Sequence, residues 1–317
     1  MRVLLGVTVA SLILIFSTSS AALGLKDCKL NESDAEDSRI EHLWGGALDT
    51  TQTHARRAYV LAYDQDNLVP KWAAWHAIKD YRDTPKRKSR WKAFRTDPEL
   101  PDVKDEDYVG WFDSDQNFAR GHIVPYFVSG GDRDNDGMDA EYESNLRVED
   151  EDDACTVFEI NALSNIAPQF HTRFNGQPGV WWLLETDVRS MLDDGREFQI
   201  FAGTVFLDGV EVQKIGDQTL SRSEWRIGVP HGFFKVIVDP MREEAVGFLF
   251  DHAGDLEKGC NIGEPGVEWP SACIVRIQDI EAATGLKFFR KFNNAKKLRL
   301  HQSSTKQTWF NWMNTED

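Results

Sequence analysis

The chain has 317 residues, and its 52 Asp and Glu residues outnumber its 36 Lys and Arg residues to give a formal net charge of −16 at pH 7. Such an acidic protein is unsuited to tight, extended binding of a polyanion, although a local basic cleft built from residues 86–92 or 290–299 is compatible with this charge. The 11 tryptophans and 19 phenylalanines can form one large core, and no Pro- or Ser-rich linker or internal repeat divides the chain.

The first 22 residues have the pattern of a secretory signal peptide. A positively charged start precedes an apolar stretch from Val3 to Phe16, and small polar residues follow as far as Ala22. The apolar stretch is shorter than the roughly 20 residues that a membrane span requires. The sequence therefore predicts cleavage near Ala22, a single domain over 23–317, and a secreted or periplasmic protein without a membrane segment. A retained N-terminal anchor is the alternative.

Apolar patterning predicts a series of strands and two helices. A hairpin is expected from two strands around the turn-prone residues 64–67. The predicted strands cover residues 59–63, 72–76, 118–125, 157–160, 199–203, 233–238 and 246–250. One helix is predicted over 180–192 and a final helix from Gln278. An acidic, turn-rich insertion covers about residues 130–153. These elements together predict an α+β fold in which a mixed, mainly antiparallel sheet is flanked by helices.

Four cysteines follow the predicted signal peptide, and an even number in an exported protein favours disulfide bonds. Three pairings are possible. Cys260 and Cys273 flank a short loop rich in Gly and Pro, which favours a bridge between them and leaves Cys28 to pair with Cys155. The sequence has no CxxC pair, which argues against zinc or redox chemistry.

Several residues match what phosphodiester hydrolysis requires, which is a base, a cation and positive groups that hold phosphate. Arg120 and His122 stand together at the end of a predicted strand. Asn175 precedes the predicted helix and is suited to binding a hard cation, while Glu185 within that helix is suited to ordering the cation's waters. Taken singly, a histidine near the end of a strand more often makes a structural hydrogen bond than acts as a base. Asn175 is also compatible with a helix N-cap or a turn, and Glu185 with a solvated helix face.

Taken together, these motifs resemble the DNA/RNA non-specific endonuclease family, which has the ββα-metal fold. The matches are Arg-Gly-His-x-x-Pro at 120–125, Ser-Asn-Ile-x-Pro-Gln at 164–169, then Asn175, and Trp-x-x-x-Glu at 181–185. An upstream segment, Arg-x-x-x-Phe-x-x-Asp-Pro from Arg90, resembles the family's phosphate-binding segment. Weaker matches extend the resemblance over about residues 59–289.

The resemblance implies an endonuclease that uses one Mg²⁺ to cut DNA and RNA into 5′-phosphate products. His122 would act as general base, Asn175 would bind the magnesium, and Glu185 would hold it through water. The remaining roles, which are orienting the site and binding the phosphate, would fall to Asn165, Arg90 and Arg120. Because a base must be neutral, activity should be lost when the pH is lowered below the usual histidine pKa of about 6.5.

The chain departs from the family pattern at three places. Ala119 stands where the family usually has Asp before Arg-Gly-His, which would remove a supporting contact. Extra residues before the predicted helix leave Gln177 as a rival metal ligand. The phosphate-binding arginine assigned to Arg90 also aligns with Lys92 or Arg95 when the gap is placed differently.

A second metal motif lies in the acidic insertion. Asp132, Asp134, Asp136 and, at the twelfth position, Glu143 match the spacing of a calcium-binding loop, with a glycine at the sixth position. No predicted helix precedes the loop, so a paired EF-hand is not expected. The motif predicts a structural Ca²⁺ site close to His122, and an acidic turn without a metal is the alternative.

Two other functions fit the same residues. A phosphodiesterase acting on smaller substrates would be better matched to the acidic surface. An inactive, secreted calcium-binding protein on the same fold would be consistent with Ala119.

Overall fold

The computed structural model of the protein describes residues 23–138, 140–142, 147–263 and 270–303. Its α-helices are α1 (Glu32–His42), α2 (Tyr126–Ser129), α3 (Glu151–Ile160), α4 (Val180–Asp193), α5 (Ile277–Thr284) and α6 (Asn294–Ser303). Its strands are β1 (Thr53–Ala55), β2 (Val60–Asp64), β3 (Val69–Ala77), β4 (Phe118–His122), β5 (Glu141–Tyr142), β6 (Arg147–Val148), β7 (Ile166–Phe170), β8 (Phe198–Val205), β9 (Lys214–Ile215), β10 (Ile227–Gly228), β11 (Gly232–Asp239), β12 (Glu244–Asp251), β13 (Cys260–Asn261) and β14 (Ile274–Val275). The predicted signal peptide lies outside the described residues. Within them, no helix is both long enough and apolar enough to cross a membrane.

The central sheet has the strand order β1-β2-β3-β8-β11-β12-β13, and β14 also pairs with β12. Neighbouring strands are antiparallel except for β12 and β13, which are parallel. The predicted hairpin is present as β2 and β3. The prediction of an α+β fold with a mixed, mainly antiparallel sheet is therefore confirmed.

Alternating side chains of the sheet supply two separate cores, one on each face. On β11, Phe233 and Ile237 belong to the core that also contains Trp181 of α4. Phe234, between them in sequence, belongs to the opposite core, which it shares with Ile277 of α5. Burying each phenyl ring contributes about 1.5–3 kcal/mol to stability. The result is a sheet between two helical layers, with α3 and α4 on the same side as the candidate site.

Both disulfides have the pairing that the sequence favoured. Cys28 bonds to Cys155 with a Cα–Cα distance of 5.2 Å, which ties the segment before α1 to α3. Cys260 bonds to Cys273 with a Cα–Cα distance of 4.6 Å. The first bridge therefore anchors the N-terminal part of the described chain beside the helix that precedes β7.

The strand predicted at residues 157–160 is wrong, because these residues form the last turn of α3. Asp150 caps the start of that helix, where its carboxylate accepts hydrogen bonds from the backbone N–H groups of Asp152 and Asp153 at 2.6 Å and 2.9 Å. A short apolar run does not distinguish a strand from a buried helix. Burial in the core, which is complete at Phe158, therefore determines that these residues are helical.

Two further boundaries differ from the predictions. The strand predicted over 118–125 ends at His122, and α2 begins at Tyr126 after a short turn. The helix predicted from Gln278 is α5, but it is not the last one, since α6 follows after Gly285 ends α5 with a φ of 70°. The basic residues of α6 hid its periodicity, and its buried side chains include Leu300.

Candidate active site

The unit that builds the site consists of β4, β7 and α4. Strands β4 and β7 are antiparallel, with His122 opposite Ile166, and α4 follows after a single turn of π-helix at His171–Asn175. A Cβ atom on Gly121 would overlap the side chain of Gln169 on β7. Glycine before the histidine therefore leaves room for the Gln169 side chain beside β4. This ββα arrangement matches the one that the resemblance implied.

His122 lies in the wall of a cleft of about 540 Å³. The same wall contains Asn175 and Glu185, which the sequence proposed as metal-binding residues, and the rival ligand Gln177. The structure thus brings together four of the residues that the sequence singled out. They come from β4, from the turn after β7 and from α4.

A hydrogen bond on one side of the ring orients the His122 imidazole. Its Nε2 lies 3.1 Å from Oδ1 of Asn161, the residue that ends α3. The Asn161 amide is itself oriented, because its Nδ2 donates to the backbone carbonyl of Trp91 at 3.0 Å. The His122 Nε2–H therefore donates to Asn161, and Nδ1 is left as the basic nitrogen. The sequence analysis missed Asn161, which stands four residues before the Asn165 that it selected.

The pKa of His122 is lowered from its usual 6.5 to about 3. Burial is the main cause and the Arg87 guanidinium adds to it, whereas the hydrogen bond with Asn161 acts in the opposite direction. Phe94 contributes to that burial, since its ring centroid lies 5.4 Å from the imidazole. The His122 imidazole is therefore neutral well below the pH of about 6.5 at which an unperturbed histidine would take up a proton.

Asn175 and Gln177 both reach the cleft, but they differ in burial. Asn175 is partly buried at the end of the π-helical turn, where the backbone N–H of Gly176 donates to the carbonyl of His171 at 2.7 Å. Gln177 is exposed. The N-cap of α4 is Gly179, so Asn175 does not have the capping role that was its structural alternative.

Glu185 faces inward from α4 and has a buried cationic partner. The Nζ of Lys235 on β11 lies 3.5 Å from its Oε1 and 3.7 Å from the ring centroid of Trp181. Burial lowers the pKa of Lys235 to about 8, while Glu185 acts to raise it. Apart from this ion pair, no hydrogen-bond donor among the described residues reaches the buried Oε1. Glu185 is therefore not on a solvated helix face, and the sequence analysis did not identify Lys235 as its partner.

Asn165 is fully buried and acts on the backbone around the site. Its Oδ1 accepts from the N–H of Val124 at 3.0 Å. Its Nδ2 donates to the carbonyl of Val124 at 3.0 Å and to that of Ile160 at 2.9 Å. These bonds join the turn after His122 to the end of α3. Asn165 thus holds the backbone next to His122, and the orienting role that the resemblance implied stays a prediction.

Neither Arg90 nor Arg120 is among the residues that line the cleft, although the Arg120 guanidinium lies 5.1 Å from the ring centroid of Phe94, the neighbour of His122. Arg120 forms an ion pair with Asp105 at 3.0 Å. Arg90 donates to the carbonyl of Leu23 at 3.0 Å, with its guanidinium over the ring of Phe158. The guanidinium groups that do line the cleft belong to other residues, namely Arg82, Arg87 and Arg189. The phosphate-binding role expected of Arg90 and Arg120 stays a prediction, and these three arginines are further candidates for it, of which Arg87 lies in the basic segment 86–92.

The Asp-rich loop brings carboxylates of Asp132, Asp134 and Asp136 within 4.8 Å of one another. Each carboxylate also accepts hydrogen bonds from backbone N–H groups inside the loop, including one from Gly137 to Asp132 at 3.1 Å. Glu143, the fourth proposed ligand, lies outside the described residues. Calcium binding by this loop stays a prediction.

Curated proteins similar to this chain are nucleases. "Nuclease EXOG, mitochondrial" of Mus musculus is 26% identical over 274 residues, covering 84% of this chain and 64% of that protein. The Homo sapiens protein of the same name is 25% identical over 312 residues, covering 90% and 69%. "Nuclease C1" of Cunninghamella echinulata var. echinulata is 25% identical over 245 residues, covering 75% and 82%. The chain thus matches about two thirds of the length of the mouse and human proteins.

These relatives overturn the predicted secreted or periplasmic location. The mouse and human proteins are named as mitochondrial. The apolar N-terminal segment was therefore insufficient evidence for export.

Among solved structures, the crystal structure of an EndoG/EndoGI complex contains a chain of similar fold. The TM-score is 0.58 at 21% identity, and the match covers 84% of this chain and 96% of that chain. At this level of identity the likeness concerns the fold, and it agrees with the ββα arrangement around His122.

The sequence model of the DNA/RNA non-specific endonuclease family matches residues 46–295. This range extends beyond the part of the chain over which the motifs resembled the family, and it contains His122, Asn175 and Glu185. The chain therefore belongs to the DNA/RNA non-specific endonuclease family, whose members are metal-dependent nucleases.

Proposed function

We propose that the chain hydrolyses phosphodiester bonds of DNA and RNA with little sequence preference, using His122 as general base and Mg²⁺ as cofactor. The observation that carries this proposal is the orientation of His122. Asn161 accepts the hydrogen bond from Nε2, so that Nδ1 is the nitrogen available to water in a cleft lined by arginines. Residues 23–317 would act as one nuclease domain.

In this mechanism the Nδ1 of His122 takes a proton from a water molecule, and the resulting hydroxide attacks phosphorus. The leaving group is the 3′ oxygen, so each cut leaves a 5′-phosphate. The lowered pKa of His122 keeps the imidazole neutral before the reaction. The hydrogen bond to Asn161 acts in the opposite direction and favours the imidazolium that forms during the reaction.

The donor set in the cleft fits a hard divalent cation. The side-chain oxygen of Asn175 is suited to direct ligation, and Glu185 to holding the cation's waters. Among the described residues, Oε1 of Glu185 has an ion pair with Lys235 but no hydrogen-bond donor, which supports this fit. When bound, Mg²⁺ would offset the charge that builds on phosphorus and on the leaving oxygen. Gln177 is the alternative direct ligand.

Arg87 and Arg189 are the proposed phosphate-binding residues. Within the described parts of the chain, Arg87 has no ion-pair partner, and its guanidinium lies 5.6 Å from the rings of both Phe94 and Tyr126. Arg189 donates to Oγ1 of Thr186 at 2.6 Å, which directs it along α4. Burial lowers the pKa of each arginine. A phosphate group in the cleft would therefore meet two partly desolvated cations.

The test is digestion of plasmid DNA and of total RNA with Mg²⁺, with Ca²⁺ alone and with a chelator. We expect Mg²⁺-dependent loss of both substrates, and a rate about 10²–10⁴-fold lower for His122→Ala because the base is absent. His54→Ala is the matched control, since His54 is a partly buried histidine whose ion-pair partner is Glu99, outside the cleft. Full activity of His122→Ala would refute the mechanism.

A phosphodiesterase of smaller substrates is the second candidate, because the net charge of −16 disfavours long polyanions. Raising the salt concentration distinguishes the two. A phosphodiesterase of smaller substrates would lose cleavage of long DNA and keep cleavage of a dinucleotide, whereas a nuclease would keep activity on long DNA at moderate salt. No hydrolysis of any substrate would instead favour an inactive binding protein.

A further inference from the structure

Phe127 is an apolar side chain that the fold leaves in solvent beside the candidate base. It is 43% exposed, whereas Tyr126 and Val128 on either side of it in α2 are 3% and 0% exposed. It lies in the wall of the same cleft as His122. Exposing a phenyl ring forgoes the stabilisation that its burial would give. A role in binding would account for its position.

The ring of Phe127 rests on a well-anchored neighbour. The Tyr126 hydroxyl donates to the carbonyl of Pro85 at 2.8 Å, and the Arg87 guanidinium lies 5.6 Å from the Tyr126 ring. Phe127 packs against that ring in an edge-to-face manner, with centroids 5.0 Å apart and an interplanar angle of 76°. The cleft thus has an aromatic ring that is exposed and is also supported from one side.

The cleft combines this ring with positive charge. Arg87 and Arg189 lie in the same wall, in a chain whose formal net charge is −16. Exposed aromatic rings beside cations that follow a phosphate backbone are the combination with which proteins bind single-stranded nucleic acid. Charge complementarity therefore identifies the occupant of the apolar position as a base whose phosphate the arginines contact.

The exposed ring of Phe127 also implies a preference for single-stranded over double-stranded nucleic acid. In a duplex each base is paired and stacked inside the helix, so its face is not available to a protein side chain unless the base is extruded. A single strand presents the faces of its bases without that cost. We propose that Phe127 stacks an unpaired base next to the scissile phosphate, an inference that rests on the proposed hydrolysis at His122. The chain would then take single-stranded DNA or RNA in preference to intact duplex.

The test is a cycle that removes the ring, the base or both. Wild type and Phe127→Ala are given a single-stranded oligonucleotide, and the same strand with abasic sites around one phosphate. We expect wild type to cut the base-bearing strand with a kcat/KM roughly 5- to 100-fold above that of the abasic strand, as expected for one stacked base. For Phe127→Ala this ratio should approach one. Phe127→Trp should retain it, and Phe127→Leu, which is apolar but not aromatic, should lose it.

A second arm compares the single strand with its blunt duplex. Wild type should prefer the single strand, and the preference should shrink in Phe127→Ala. Met241→Ala is the control, since Met241 is 83% exposed at the turn between β11 and β12, away from the cleft. If the ratio of kcat/KM for the base-bearing strand to that for the abasic strand were the same in wild type and Phe127→Ala, the stacking role would be overturned. Loss of the ring and loss of the base would then have independent effects.

Binding without turnover separates this inference from the proposed function. Fluorescence anisotropy in the presence of a chelator measures the affinity of each variant for the labelled single strand. If wild type hydrolyses no substrate, the proposed function fails, but weaker binding by Phe127→Ala than by Met241→Ala would still support stacking. Equal affinities of these two variants would overturn it.

Discussion

The cleft around His122 and the Asp-rich loop at residues 132–137 are the two places where the sequence predicted a metal, and they are held together in different ways. In the cleft, His122 is oriented by Asn161, which lies 39 residues away along the chain. In the loop, the carboxylates of Asp132, Asp134 and Asp136 accept hydrogen bonds from backbone N–H groups no more than five residues away.

The difference shows what a matching motif establishes. The loop pattern specifies a turn that satisfies its own polar groups, so its geometry is accounted for without a ligand. The cleft places a neutral imidazole, a carboxylate and several guanidinium groups together at the cost of burial, and its partners come from distant segments. Only the cleft depends on contacts between distant segments of the chain. This supports a function at the cleft more strongly than at the loop.

Among the variants that test this contrast, the largest effect on activity is expected at Asn175, the proposed direct ligand of Mg²⁺. Asn175→Ala should raise the Mg²⁺ concentration needed for half-maximal activity by about 10- to 100-fold, because a ligand oxygen is lost. Gln177→Ala is the matched control and should have a much smaller effect. Titration of plasmid cleavage with Mg²⁺ measures both. The reverse order of effects would make Gln177 the ligand.

Asn161 tests whether the hydrogen bond at Nε2 selects the basic nitrogen. Asn161→Ala should lower kcat/KM about 10-fold or more, because the imidazole loses its orientation. Asn161→Asp should raise the pKa of His122 from about 3, since a carboxylate favours the imidazolium. Activity lost to protonation on the acid side would then be lost at a higher pH than in wild type. An unchanged pH–rate profile would contradict this role.

The buried pair of Lys235 and Glu185 should influence stability as well as activity. Lys235→Met leaves the Glu185 carboxylate without its cation and should lower the free energy of unfolding by about 1–3 kcal/mol. Urea denaturation measures this loss. The double variant with Glu185→Gln should recover part of the stability, although not the activity. If the double variant were less stable than Lys235→Met, the charge argument would fail.

The smallest effect is expected at the Asp-rich loop. If it binds Ca²⁺ as its spacing predicts, calcium should raise the Tm of the wild-type protein, and it should raise that of Asp134→Asn by less. Cleavage of DNA should be nearly the same for both, because these carboxylates lie outside the cleft wall. Identical Tm shifts would identify the motif as a turn without a cation.

Local patterns in the sequence determined much of the fold. The β2–β3 hairpin follows from two apolar runs around a turn, and the start of α4 follows from Gly179. The residues at 157–160 were misread because a four-residue apolar run carries no clear period, and only burial in the finished core shows it to be helical.

For the site, the sequence by itself identified the family and both disulfides, and it selected His122 as the candidate base together with the metal-binding candidates, because these depend on residue types at fixed spacing. Only the tertiary structure decided what surrounds them. Asn161 contacts His122, Lys235 contacts Glu185 and Arg87 lines the cleft. These residues come from separate elements, and no local pattern links them to the site. A hydrogen bond or ion pair between distant segments depends on how the chain packs, so its partners become visible only in the folded protein.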